Sequence, residues 1–202
     1  MVFDVLIIGG GVAGMQCALV LGSAKEKPYA QGKQIGIIAH QRASQLQNAL
    51  FNNVLGLVPE KLGKDILSEG KAQLSELYPH VSQIESEKVF AVLDDEKGYK
   101  VVTNKNEYFT KMVVVALNYE KPFDITGLEQ YVENHSRANP MKDRIQLRNF
   151  NHLIKDGLYV CGTIAGWRSQ FAIAAGSGAS VATDILTLWN DNISTKVHDK
   201  VS

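Results

Sequence analysis

The stretch Asp4-Val-Leu-Ile-Ile-Gly9-Gly10-Gly11-Val12-Ala13-Gly14 decides the fold. Val5 to Gly9 carries no polar side chain, as expected of a parallel strand covered on both faces, and the mostly apolar stretch Val12 to Ala24 predicts a helix after it. Between the two, Gly9, Gly11 and Gly14 fill the pattern G-x-G-x-x-G. Each glycine has its own reason. Gly9 permits the tight turn, Gly11 removes a side chain where a pyrophosphate must approach the backbone, and Gly14 lets helix and strand pack closely. The helix start, with Val12 and Ala13 in its first turn, turns unpaired N–H groups and the positive end of its dipole toward the phosphates. Strand, turn and helix in this order predict a dinucleotide site in an α/β, Rossmann-like parallel sheet.

The second strand departs from that pattern. A Rossmann unit normally carries Asp or Glu about 20 residues beyond the glycines to hold the ribose hydroxyls. Here the strand Gln34-Ile-Gly-Ile-Ile38 ends in Ala39-His40-Gln41-Arg42, without a carboxylate. Ala39 occupies the expected position. His40 and Gln41 are the neighbouring candidates for a hydrogen bond to the ribose, and Arg42 for a phosphate contact.

Composition narrows the classes. With 202 residues, 45% hydrophobic, the chain can bury one substantial core, and residues 1–202 are expected to form a single domain. Basic and acidic residues balance at 21 each, which gives no electrostatic argument for nucleic acid or an anionic membrane. Cys17 and Cys161 lie in apolar segments and read as buried thiols of a reducing compartment. The N-terminus has no basic lead, carries Asp4 and continues into the glycine motif, unlike a signal peptide. No unbroken apolar run reaches the roughly 18 residues of a membrane span. A cytoplasmic location without membrane contact is expected.

Further along, Ala24 to Lys33 reads as a surface loop, and Asn48 to Gly63 has no clear period. Ile66, Leu67, Gly70, Leu74 and Leu77 recur at helical spacing until Tyr78-Pro79 ends the helix. Lys88 to Leu93, Tyr99 to Thr103 and Tyr108 to Thr110 predict a small antiparallel meander leading to a separate central strand, Met112 to Leu117. Near the far end, Leu158-Tyr-Val-Cys-Gly162-Thr163-Ile-Ala-Gly166 precedes the helix-like Gln170-Phe-Ala-Ile-Ala-Ala-Gly176-Ser-Gly178.

This order resembles the FAD-binding half of thioredoxin-reductase-like flavoproteins, within the pyridine nucleotide-disulphide oxidoreductase group, and the likeness covers nearly the whole chain. It includes the glycine strand, Asn53-Val-Leu-Gly56-Leu, Leu77-Tyr-Pro79, the meander, the central strand and the terminal Gly162-Thr163 run with its helix. The resemblance implies FAD as cofactor. It also implies that Gly162 and Thr163 approach the ribityl chain and that the helix start at Ser169, Gln170 and Phe171 faces the pyrimidine edge of the isoalloxazine. Free N–H groups there stabilise the negative charge of reduced flavin. Val89 at the start of the meander, and Ala116 and Leu117 at the end of the central strand, complete the candidate contacts.

Three departures qualify the expected activity. The relatives insert a second dinucleotide domain, for NADPH, between the central and the terminal strand. This chain has 40 residues between Leu117 and Leu158, and no second glycine fingerprint. A βαβ piece alone takes about 30. No Cys-x-x-Cys is present, so a resolving dithiol, and with it disulfide reductase activity, is not expected. Thr163 stands where the family has Asp, and Asn118 where it has Gly after the central strand. The five histidines are scattered and predict no metal site. Trp167 and Arg168, just ahead of the terminal helix, are candidates to cover the ring or meet an anionic substrate.

Two readings stand at this stage. One is an FAD-dependent oxidoreductase reduced by free NAD(P)H or a partner protein, with the acceptor open and a homodimer allowed. The other is a catalytically inactive nucleotide-binding or subunit-interaction module derived from such a flavoprotein. No side chain is assigned as catalytic.

Overall fold

The first strand is apolar from Val5 to Ile8 because that part lies in the middle of the sheet, with helices on one side and a second apolar layer on the other. A computed structural model of the protein describes residues 2–40 and 44–198. The elements follow as β1 (Val2–Ile8), α1 (Val12–Ser23), β2 (Ile35–Ala39), β3 (Leu50–Phe51), β4 (Lys61–Leu62), α2 (Gly63–Leu77), β5 (Val81–Glu85), β6 (Val89–Asp95), β7 (Gly98–Thr103), β8 (Glu107–Val115), β9 (Val132–Asn134), β10 (Ile145–Leu147), β11 (Leu153–Lys155), β12 (Leu158–Val160) and α3 (Phe171–Trp189). The main sheet runs β11-β12-β8-β1-β2-β5. All its neighbours are parallel except β11 and β12. This is the α/β, Rossmann-like fold with an antiparallel meander that the sequence predicts.

Alternation along the strands divides the core in two. Val5, Ile7, Val114 and Cys161 face α1 and α3, where they meet Cys17, Leu21, Val181 and Ile185. Leu6, Ile8, Val113, Val115 and Val160 face the other way, toward Val92 and Val101 of the meander and Leu128, Ile145 and Leu147. By length and composition α3 is apolar enough to cross a membrane. Here one side of it, including Val181, Ala182, Ile185 and Leu186, is buried.

The meander differs from expectation in one respect. Its third strand and the central strand are a single strand, β8, paired with β1 from Phe109 to Val115. Its opposite edge is shared, first by β7 over residues 107–110 and then by β12 over residues 113–115. The extra strand β5 was not evident in the sequence because Val81-Ser-Gln-Ile-Glu85 lies at the sheet edge and is only partly buried. The unperiodic region before α2 forms the two-residue hairpin strands β3 and β4.

Two helical glycines separate packing from propensity. A Cβ at Gly178 would overlap the carbonyl oxygen of Ala13, so α1 and α3 approach at this point through the missing side chain. At Gly176 a Cβ would meet nothing within 4 Å. Gly178→Ala is therefore expected to destabilise by about 1–3 kcal/mol through overpacking, whereas Gly176→Ala is expected to stabilise by about 0.5–1 kcal/mol through helix propensity. Thermal denaturation of the two variants checks the opposite signs.

Candidate functional site

Register brings the site together. Ile8 lies opposite both Ile38 and Val115, and Val115 lies opposite Val160. The next residues in each strand therefore form one row at the carboxyl edge of the sheet, where open α/β sheets bind ligands. Cross-strand bonds continue into that row. Gly9 N–H donates to Ile38 O at 2.9 Å, Ala116 N–H to Ile8 O at 2.8 Å and Cys161 N–H to Val115 O at 2.9 Å.

A cavity of about 620 Å³ opens above this row, within the usual size of small-molecule sites. Gly9, Gly11, Val12 and Ala13 line it at the turn into α1. His40, Val89, Ala116 and Leu117 line it at the strand ends, and Gly162, Thr163, Ser169, Gln170 and Phe171 at the approach to α3. The two ends of the chain therefore meet across one space.

Two of the candidate cofactor contacts, Gly14 and Ala39, do not line it. Gly14 is a packing residue, since a Cβ there would overlap the carbonyl oxygen of Gly9. Ala39 is buried in the last register position of β2, opposite Glu85, while Ile38 and His40 on either side of it line the cavity. The missing carboxylate would thus not reach the cavity from position 39. Gln41 lies outside the described residues, as does Arg42. Trp167 and Arg168 are not part of the lining either.

The glycine turn shows which position is kept open for a ligand. Gly9 has φ +115°, and a side chain there would overlap the carbonyl oxygen of Ala116. Gly11 is different, because its φ is an ordinary −77° and, among the described residues, the nearest atom to a Cβ would be Ser44 Oγ at 4.0 Å. Packing among the described residues does not require glycine at position 11, whereas an occupant of the cavity would. The helix behind it has no side-chain cap and no acidic residue in its first turn, and the same holds for α3. Two helix N-termini therefore direct unsatisfied N–H groups and positive dipole ends at the cavity.

The segment of residues 118–157 holds the α3 approach in place. The backbone N–H of Arg137 donates to His135 Nδ1 at 3.1 Å, so Nε2 carries the ring proton and donates to Thr163 O at 3.0 Å. Asn149 Nδ2 donates to Ala165 O at 3.2 Å, and Arg137 Nη1 to Gly166 O at 2.9 Å. The Arg137 guanidinium also sits 4.7 Å from the centre of the Trp167 ring, against which His152 stacks at 5.8 Å. Burial lowers the pKa of His152, whose Nδ1 proton goes to Val160 O. Trp167 thus belongs to a clamp on the turn. On the cavity side Phe171 meets Phe51 edge to face at 5.2 Å, and Gly162 N–H donates to buried Ser177 Oγ at 2.8 Å.

Phe51, Ser44, Glu87 and Phe123 are lining residues that sequence reasoning missed. They come from short loops and hairpins with no periodic signal. Cys17 and Cys161 are both fully buried free thiols, and burial pushes Cys161 up to about 12. Among the described residues no group of three or more His, Cys, Asp or Glu side chains is placed to hold a metal ion.

The site and fold are those of a flavoprotein. The family described as pyridine nucleotide-disulphide oxidoreductase matches residues 3–178, and the chain belongs to it. That family binds FAD, and FAD is the cofactor here. In structure the chain is similar to a thioredoxin reductase from Gloeobacter violaceus, with TM-score 0.73 and 14% identity over 100% of this chain and 99% of that one. It is also similar to a ferredoxin-flavin thioredoxin reductase from Clostridium acetobutylicum (TM-score 0.67, 15% identity, 94% and 99% covered). A thioredoxin reductase from Lactococcus lactis gives TM-score 0.62 at 16% identity, with 95% and 100% covered. At these identities the likeness shows the fold. No curated protein matches the chain in sequence.

The residues present fit FAD. The open Cα of Gly11 and the two uncapped helix starts suit its phosphates and its anionic ring edge, and the wall from His40 to Phe171 suits an elongated ligand. His135→Ala is expected to cost about 1–3 kcal/mol of stability, since it removes the bond to Thr163 O and leaves the Arg137 N–H without its acceptor. It should also weaken FAD binding by displacing Thr163. Urea denaturation and flavin titration of the variant measure the two effects.

Proposed function

We propose that this chain is an FAD-dependent oxidoreductase whose flavin is reduced from outside, by free NAD(P)H or by a redox partner protein, and not through a nicotinamide site of its own. The carrying observation is Gly11, the glycine of the fingerprint that packing among the described residues does not require. In this reading Gly9 to Ala13 hold the pyrophosphate, Thr163 the ribityl chain and the Ser169–Phe171 segment the pyrimidine edge. Bound flavin supplies the electron-transfer chemistry. The chain's residues bind it, orient it and limit its exposure to water.

What residues 118–157 form supports reduction from outside. They make the β9 and β10 hairpin and the β11 strand, and their side chains are used in the clamp on residues 163–167. Electrons would leave to an acceptor that meets the flavin directly, because both thiols are buried. Two buried free thiols also suit a reducing, cytoplasmic setting. The alternative of an inactive module is favoured by one feature, the lack of a carboxylate at Thr163 on the cavity wall.

Gly11→Val should fold with stability within about 1 kcal/mol of the parent, since its backbone and surroundings accept a side chain. It should lose at least about tenfold in FAD affinity, equivalent to about 1.4 kcal/mol. Flavin absorbance of the purified variant, with thermal denaturation, checks both. Unfolding of the variant would return Gly11 to a packing role and remove the main support for the site.

Reduction by NADPH in stopped flow should rise linearly with concentration, without saturation in the micromolar range. Saturation there would reveal a nicotinamide site and overturn the proposal. Purified protein that neither contains nor takes up FAD would instead favour the inactive module.

A further inference from the structure

Glu87, a buried acid, lines the cavity, and the flavin site as described does not use it. β5 pairs with β2 so that Glu85 lies opposite Ala39. Two residues later, after Ser86 at φ +59°, the chain presents Glu87 at the edge where His40 and Val89 also line the cavity. Glu87 is only 6% exposed. Its Oε1 accepts from Asn106 Nδ2 at 2.8 Å and from Tyr108 OH at 2.9 Å, and its Oε2 accepts from Thr103 Oγ1 at 2.6 Å. A carboxylate has about four acceptor positions, which leaves one, on Oε2.

We infer that Glu87 is the specificity-determining acceptor for the adenosine part of the cofactor, taking over from the neighbouring strand the task of the acid missing at the end of β2. This rests on the flavin reading of the cavity. The location follows from the sheet, because β2 and β5 lie on the side of β1 away from β12 and α3, and so border the half of the cavity remote from the flavin-facing helix. The charge state supports it. Burial would raise the pKa of Glu87, but the three donors, with a smaller contribution from the charge of Lys105, outweigh this and keep it below the ordinary glutamate value. Among the described residues no cation forms an ion pair with it. An ionised carboxylate kept out of water and held by neutral donors is a strong acceptor for one further O–H or N–H. Adenosine offers both kinds, the ribose hydroxyls and the 6-amino group.

The test compares ADP, 2′-deoxy-ADP and inosine diphosphate on the parent protein freed of flavin and on Glu87→Gln, by calorimetry. The parent should bind ADP about tenfold more tightly than the analogue lacking the recognised donor, equivalent to about 1.4 kcal/mol. The 2′-deoxy compound reports the ribose and the inosine compound the amino group. In Glu87→Gln that ratio should fall to about one, which a purely structural role for Glu87 would not produce. Equal binding of all three by the parent overturns the inference even if the variant does not fold, and so does a ratio preserved in the variant. Failure of the parent to bind both FAD and ADP would remove the flavin reading and this inference together. Tight FAD binding with no discrimination among the three nucleotides would remove the inference alone.

Discussion

The structure depends on the alignment of four parallel strand ends. β1, β2, β8 and β12 come from widely separated parts of the chain, yet Ile8, Ile38, Val115 and Val160 share one register row. Because side chains alternate along each strand, that row also fixes which residues face the helices and which face the meander. Just beyond it lie the glycine turn, His40, Leu117 and Gly162, all on the cavity wall. A slip of one residue in any strand would turn its apolar side chains to the wrong layer, so burial holds the register and the register holds the site.

The two helices that meet the cavity are positioned by contact with each other. Gly178 of α3 lies against Ala13 of α1, and Gly162 approaches the same residue with 2.9 Å between its would-be Cβ and Ala13 Cβ. Close approach at these points lets both helix starts reach one ligand. Ser177, next to Gly178, accepts from Gly162 N–H and ties the end of β12 to α3. The two helix starts that line the cavity are thus parts of a single packing arrangement.

Residues 118–157 show how a short segment can do structural work in this fold. Three carbonyl oxygens of the turn before α3, at residues 163, 165 and 166, accept from His135, Asn149 and Arg137. Trp167 is held by cation–π and stacking contacts from the same segment. Backbone groups in a tight turn need partners when water is excluded, and here side chains supply them. The turn that carries Thr163 is therefore fixed from outside the cavity, which leaves the inner wall to the ligand.

The sequence by itself determined the strand, glycine turn and helix at the start and the strand and helix at the end, because these depend on local patterns of apolar residues and glycine; FAD entered through the resemblance that those segments carry together. It also showed that the acid was missing at Ala39 and Thr163. Tertiary structure alone decided the rest. The fingerprint gives Gly14 a packing role and Gly11 an open one, but only the fold shows which atoms lie opposite each Cα, with the Gly9 carbonyl oxygen against Gly14. Position 39 looked like the place for an acid by distance along the chain, but alternation and register bury it and leave the wall to His40 and Glu87. The continuity of β8 and the clamp around Trp167 arise from pairing between distant segments, and such pairing leaves no period in the sequence to read.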